Sequence, residues 1–76
     1  MNQLTLHRTH DQVVRVLDSQ GECVGNLKLI GTVWKFKALG HDADGHLVPG
    51  GGPLTGRHNM AFAELDEAVV SAALLA

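Results

Sequence analysis

No tyrosine occurs in this chain, and tryptophan and phenylalanine together supply only Trp34, Phe36 and Phe62. Scarce aromatics argue against a single-strand nucleic-acid binder, because such proteins stack bases on exposed rings. Cys23 is the only cysteine. No disulfide can form within the chain, and a lone thiol fits a reducing compartment. Charge is also modest: 18% of residues are charged and the net charge is −2 with neutral histidines. Bulk charge therefore forces no nucleic-acid or anionic-membrane partner. No apolar run approaches the ~20 residues of a membrane-spanning helix. The start, Met1 to Arg8, lacks the apolar stretch of a signal peptide. The cytoplasm is the expected location, with no membrane partner.

What is present bounds the fold. The 76 residues allow one domain, residues 1–76, whose thin core gives a stability of roughly 3–5 kcal/mol. A partner subunit or a metal could supplement it. Hydrophobic residues make up 45% of the chain, a folding composition. Five histidines are many for this length; their full protonation would carry the formal charge from −2 to +3, a sign change in mild acid.

Along the chain, Leu4 and Leu6 alternate with polar neighbours, and Val13 to Leu17 is rich in β-branched residues that suit a pleated surface. Thr9 to Gln12 reads as a turn. The strongest local signal is Cys23–Ile30 and Val33–Leu39 flanking Gly31-Thr32, which suits a two-residue hairpin. That turn pairs Ile30 with Val33, Leu29 with Trp34, Lys28 with Lys35 and Leu27 with Phe36. Directly opposed residues share a face. Leu27, Leu29, Trp34, Phe36 and Ala38 thus fall on one side, and Asn26, Lys28, Lys35 and Lys37 on the other. For the preceding hairpin, a two-residue Gln20-Gly21 turn places Val14 and Val16 on the apolar side and Arg15 beside the lysines. A three-residue turn would reverse them; the two-residue turn is the expected one, because it matches the polarity of the neighbouring strand.

Gly40 to Gly45 reads as a further turn, His46 to Val48 as a short returning strand ended by Pro49, and Gly50-Gly51-Gly52-Pro53 as the opening of a flexible loop. Residues 41–58 are expected to be the most mobile interior stretch. Met60-Ala61-Phe62 is either a last short strand or the start of a helix. Leu65, Val69, Ala72 and Ala76 recur at helical spacing, with Glu64, Asp66 and Glu67 near the first turn, where the dipole favours acid. The expected fold is α+β: a small antiparallel β-meander of four to five strands with one C-terminal helix packed on the Trp34/Phe36 face.

Four constellations could carry chemistry. Lys28, Lys35 and Lys37, with Arg15, form a basic stripe that could contact phosphates; the alternative is a solvated face. Gly51 to His58 has the spacing of a phosphate-binding loop, with Arg57 and His58 where Lys and Ser/Thr would stand. Arg57 joins the lysines as a candidate binding residue; the alternative is a mobile linker. His41-Asp42-Ala43-Asp44-Gly45-His46 is rich in potential ligands, and His41, Asp44, His46 and His58 are the candidate metal set. His7 or His10 could add to it, and a solvated turn is the alternative. Cys23 has no adjacent base and reads as a buried small hydrophobe. Ser19 and Ser71 lack a nucleophile motif, so no catalytic residue and no cofactor is expected.

In the last third of the chain, Pro49-Gly50, Thr55-Gly56 and Glu67-Ala68 are loosely similar to elements of the partial RNase-H-like domain of HicB-type antitoxins. The spacings are longer here and the Gly-rich insertion departs from that pattern, so no function is carried over. The expected function is a small non-enzymatic interaction or regulatory protein with a protein partner, itself or another, and a homodimer as one form. The alternatives are a nucleic-acid-binding module using the basic sheet face, or a metal or small-ligand binder using the His/Gly-rich loop.

Overall fold

The computed structural model describes residues 3–76. Met1 and Asn2, the first residues of the stretch read above for a signal peptide, lie outside the described residues. Four long strands run as an antiparallel meander: β1 (Thr5–His10), β2 (Val13–Leu17), β3 (Cys23–Ile30) and β4 (Val33–His41). Two short strands, β5 (Leu47–Pro49) and β6 (Ala61–Phe62), share the far edge of β4. A single 3-10 turn (Thr55–Arg57) lies between them, and helix α1 (Glu67–Leu74) closes the chain. The fold is the small α+β meander the sequence implies, with six strands among the described residues where four to five are expected.

The β3–β4 hairpin follows from its turn. Gly31 takes the left-handed φ of 64° that a tight hairpin needs at that position. Every pair expected from it is present: Ile30–Val33, Leu29–Trp34, Lys28–Lys35 and Leu27–Phe36. Leu27 and Phe36 are fully buried, Ala38 nearly so, and Trp34 is 9% exposed.

The β2–β3 hairpin departs from expectation in its turn but not in its faces. Its loop has three residues, not two. The Gly21 N–H donates to Asp18 O, the Asp18 N–H donates to Glu22 O, and Asp18 Oδ1 accepts from both Gln20 and Glu22. A three-residue turn alone would have reversed the faces. A β-bulge between Leu17–Cys23 and Val16–Gly25 restores the register, so consecutive Val24 and Gly25 are both buried. Val14 and Val16 therefore enter the core and Arg15 joins the opposite face. The β4–β5 turn repeats the device with the same Asp-x-x-Gly pattern. Asp42 Oδ1 accepts from the Asp44 and His46 amides, both at 2.9 Å, and Gly45 closes the turn on Asp42 O. Gly21 and Gly45 stand at nearly the same φ, 82° and 83°.

The segment expected to be an open loop is packed. Gly40 and Gly52 touch backbone to backbone: a Cβ on Gly40 would lie 2.4 Å from Gly52 N, and one on Gly52 would lie 2.3 Å from Leu39 O. Leu54 is buried in the core. Between β6 and β5, β4's outer edge is satisfied group by group. Phe36 N–H donates to Met60 O and Asn59 N–H to Phe36 O; Ala38 N–H donates to His58 Nδ1, and Gly50 N–H to Ala38 O. Buried backbone donors need partners; here one is an imidazole standing where a strand carbonyl would be. An open linker would leave this edge unpaired, so the open-loop reading of residues 50–58 is corrected.

Helix α1 covers the apolar face, as expected, but with a different stripe. Val70, Ser71 and Leu74 are buried, whereas Val69 is 57% exposed and Ala72 and Ala76 are also exposed. An Ala-rich helix is nearly apolar all round, so spacing alone does not choose its inner face. Contacts with the start of the chain choose it. Ser71 Oγ accepts from Leu4 N–H at 3.0 Å, and Glu67 Oε2 accepts from Leu6 N–H at 3.1 Å. The N-cap Asp66 accepts from Val69 N–H and fixes where the helix starts. These two side chains also cover the exposed edge of β1, which would otherwise invite strand pairing. Ser71→Ala is expected to cost about 1–3 kcal/mol by leaving the buried Leu4 N–H unpaired. A urea melt measures it; an unchanged midpoint would show that the hydroxyl does not hold the helix in register.

Candidate functional site

Because α1 takes the apolar side of the sheet, the other face is left uncovered. The strand registers build that face in cross-strand rows. One row runs His7–Arg15–Asn26–Lys37, and its neighbour runs Val13–Lys28–Lys35–Ala61. Opposed residues share a face, and residues two apart on a strand share it as well. Lys28, Lys35, Lys37 and Arg15 therefore form one belt, as expected. Five of the six lysines and arginines lie in strands, and none of the eight acids does. The acids sit in the turns and around the start of α1: Asp11, Asp18, Glu22, Asp42, Asp44, Glu64, Asp66 and Glu67.

Apolar side chains flank the belt at both ends. Ile30, 48% exposed, and half-buried Val33 lie beyond Lys28 and Lys35. Half-buried Leu39, with Leu47 at 62% exposure, lies beyond Lys37. Lys37 Nζ donates to Asn59 Oδ1 at 2.5 Å, which fixes one end of the belt. Arg8 is the strand cation that leaves the belt: opposite Val14 it belongs to the apolar side, and its guanidinium sits 5.7 Å from the Trp34 ring centroid.

Arg57 is not brought to the lysines. Its Nη2 donates to the carbonyl oxygen of Ala76, and it lines a separate hollow with Leu74 and Leu75 at the end of α1. The phosphate-loop reading of residues 51–58 loses four of its backbone donors as well. Gly50, Gly51, Thr55, Arg57 and His58 all donate their backbone N–H groups to carbonyls of the sheet or of the loop itself. Where a helix would follow such a loop, a single 3-10 turn does.

The candidate metal residues are dispersed. Asp44 and His46 approach one another together with Asp42, all three exposed; this is the one such cluster among the described residues, and His41 and His58 stand outside it. Asp42 is already committed to its own turn through Oδ1, with His46 Nδ1 at 3.4 Å from Oδ2. His58 Nδ1 accepts from Ala38 N–H. His10 Nδ1 accepts from Gln12 N–H at 3.2 Å on the opposite edge of the sheet. Cys23 is half-buried rather than buried, beside the bulge, and its thiol donates to Gly25 O at 3.3 Å.

The chain matches no family model, no curated protein and no solved structure.

Sequence reasoning found the lysine belt through the hairpin turn. It missed the structural work of His58 and Ser71, both of which act across long separations, 20 and 67 residues. No local pattern signals those pairings. The two Asp-x-x-Gly turns were legible, because the same spacing occurs twice and Asp capping its own turn is a short-range effect.

Proposed function

We propose that the protein is a non-enzymatic interaction module whose uncovered sheet face docks on the acidic surface of a partner protein. The observation that carries this reading is Lys28 standing directly opposite Lys35, with Arg15 and Lys37 in the next row and no acid in any strand. Like charges directly opposed weaken a sheet by a fraction of a kcal/mol. Nothing on the face offsets that cost, whereas an acidic partner would. Complementary charge sets partner choice and encounter rate, and the flanking apolar residues supply the buried area a protein interface needs.

Two other occupants fit less well. A second copy docked face to face about a two-fold axis would set the belt against itself. Nucleic acid would meet the cations, but the face offers no Phe, Tyr or Trp ring for stacking and the chain is net negative. Support for a non-enzymatic role comes from the engaged nucleophiles: Ser71 Oγ accepts from Leu4 N–H and Cys23 donates to its own strand. A cytoplasmic location goes with this reading, given the unpaired Cys23. No helix among the described residues is long and apolar enough to cross a membrane.

The test is fluorescence anisotropy with an acidic Glu/Leu peptide and, separately, a DNA duplex. The peptide is expected to bind in roughly the micromolar range at low salt. Replacing Lys28, Lys35 and Lys37 together by Gln should weaken it about tenfold or more with the melting temperature retained. The duplex should not bind at physiological salt. Submicromolar duplex binding there would replace the protein partner by nucleic acid, and no peptide binding at low salt would overturn the docking reading.

A further inference from the structure

Within the basic face lies a hollow lined by Asn26, Lys28, Lys37, Leu39, Pro49 and His58. We infer that this hollow is a carboxylate pocket that receives a single acidic side chain, such as the end of a glutamate. The inference deepens the docking reading and rests on it for the source of the carboxylate.

The donors converge from three parts of the chain. Asn26 and Lys37 are cross-strand partners, and Lys28 lies two residues from Asn26 on the same face. His58 arrives from the segment that covers the outer edge of β4. Its ring is fixed in two ways: Nδ1 accepts from Ala38 N–H at 3.0 Å, and the ring lies against Gly50, where a Cβ would stand 3.6 Å from Nε2. A neutral imidazole that accepts at Nδ1 carries its proton on Nε2. The bond to β4 therefore leaves Nε2 as the donor nitrogen of the ring.

Lys37 is held in turn by Asn59 Oδ1, whereas Lys28 has no partner among the hydrogen bonds and ion pairs of the described residues. Two ammonium groups, an imidazole N–H and a carboxamide N–H match the four acceptor positions of a carboxylate. Leu39 and Pro49 form an apolar wall, which suits the methylenes of a glutamate side chain better than the all-polar surface of a phosphate. No acid of this chain occupies the pocket, since none lies in a strand and none is among its lining residues.

The experiment is an NMR titration of the whole protein, observing the Asn26 side-chain amide and the His58 ring. Glutarate and inorganic phosphate are added separately, at constant ionic strength. Glutarate should give saturable shifts at both groups, with a dissociation constant in the millimolar range, as expected for one small anion. Lys28→Gln with Lys37→Gln should abolish them. Lys35→Gln, on the same face but outside the hollow, should leave them within about twofold. These lysine variants leave the His58–Ala38 bond in place, so the test does not depend on a variant that disturbs the edge of β4.

Saturation by phosphate without a response to glutarate would overturn the carboxylate assignment in favour of phosphate. Shifts that persist in the double variant, or no shifts with either anion, would overturn the pocket. The docking reading fails separately. If the acidic peptide binds and Lys35→Gln weakens it as much as the pocket variants do, the pocket falls and the face stands. If glutarate saturates the pocket and the peptide does not bind, the face falls and the pocket stands.

Discussion

Replacing Trp34 by alanine should unfold the protein at ordinary temperature. Trp34 is 9% exposed, paired with Leu29 across the hairpin and with Phe62 of β6, and covered by the Arg8 guanidinium. It therefore joins β3, β4 and β6 to one core. Removing a buried indole costs about 3–5 kcal/mol, transfer and cavity together. A domain this size has roughly that much stability in total. In the wild type the single tryptophan should emit at short wavelength and resist a soluble quencher. In the variant, circular dichroism should show a lost or broadened cooperative melt. Water-like emission with full quencher access, or an unchanged melt in Trp34→Ala, would contradict the packing described.

The second large effect is expected at Gly52. Alanine there would place its Cβ 2.3 Å from Leu39 O and 2.8 Å from Gly40 Cα, at a φ of 87°. Both neighbours are backbone, so neither can swing aside as a side chain would. The expected loss is about 2–5 kcal/mol, combining the left-handed conformation with overpacking. Gly45 supplies the matched control. Its φ of 83° is nearly the same, yet a Cβ there meets nothing within 4 Å. Gly45→Ala should then cost only about 1–2 kcal/mol, the conformational part alone. Urea midpoints compare the two directly. Equal losses would show that the segment from Gly50 to His58 does not pack on β4. In the wild type, slow amide exchange at Ala38 and Asn59 is the corresponding sign that the segment is closed against the sheet.

Arg57 and His58 show where local reading stops. Adjacent in the chain, they read together as the end of a phosphate loop, yet they serve different ends of the molecule. Arg57 reaches the carbonyl of Ala76, while His58 fills the gap on β4 between β6 and β5. The helix shows the same limit. Leu65, Val69, Ala72 and Ala76 have a helical period, but the inner face is Val70, Ser71 and Leu74. In a stretch as apolar as residues 68–76, period carries little information about direction.

Local sequence was enough for the β3–β4 hairpin, its register and hence the basic belt. A two-residue turn fixes every pair that follows it, and strand alternation then assigns each side chain to a face. It determined the α+β class and the existence of the C-terminal helix for the same reason: period and capping are local. Other outcomes appear only in the folded chain: a bulge after Gly21 restores the faces of β2, the Gly-rich segment closes on β4, and one side of α1 turns to the sheet. Those outcomes depend on backbone hydrogen bonds and close contacts between residues far apart in sequence. Gly40 against Gly52, Ala38 with His58 and Leu4 with Ser71 exist only once the sheet has formed. The carboxylate pocket belongs to the same class, because His58 meets Lys28 and Asn26 only through the strand that separates them.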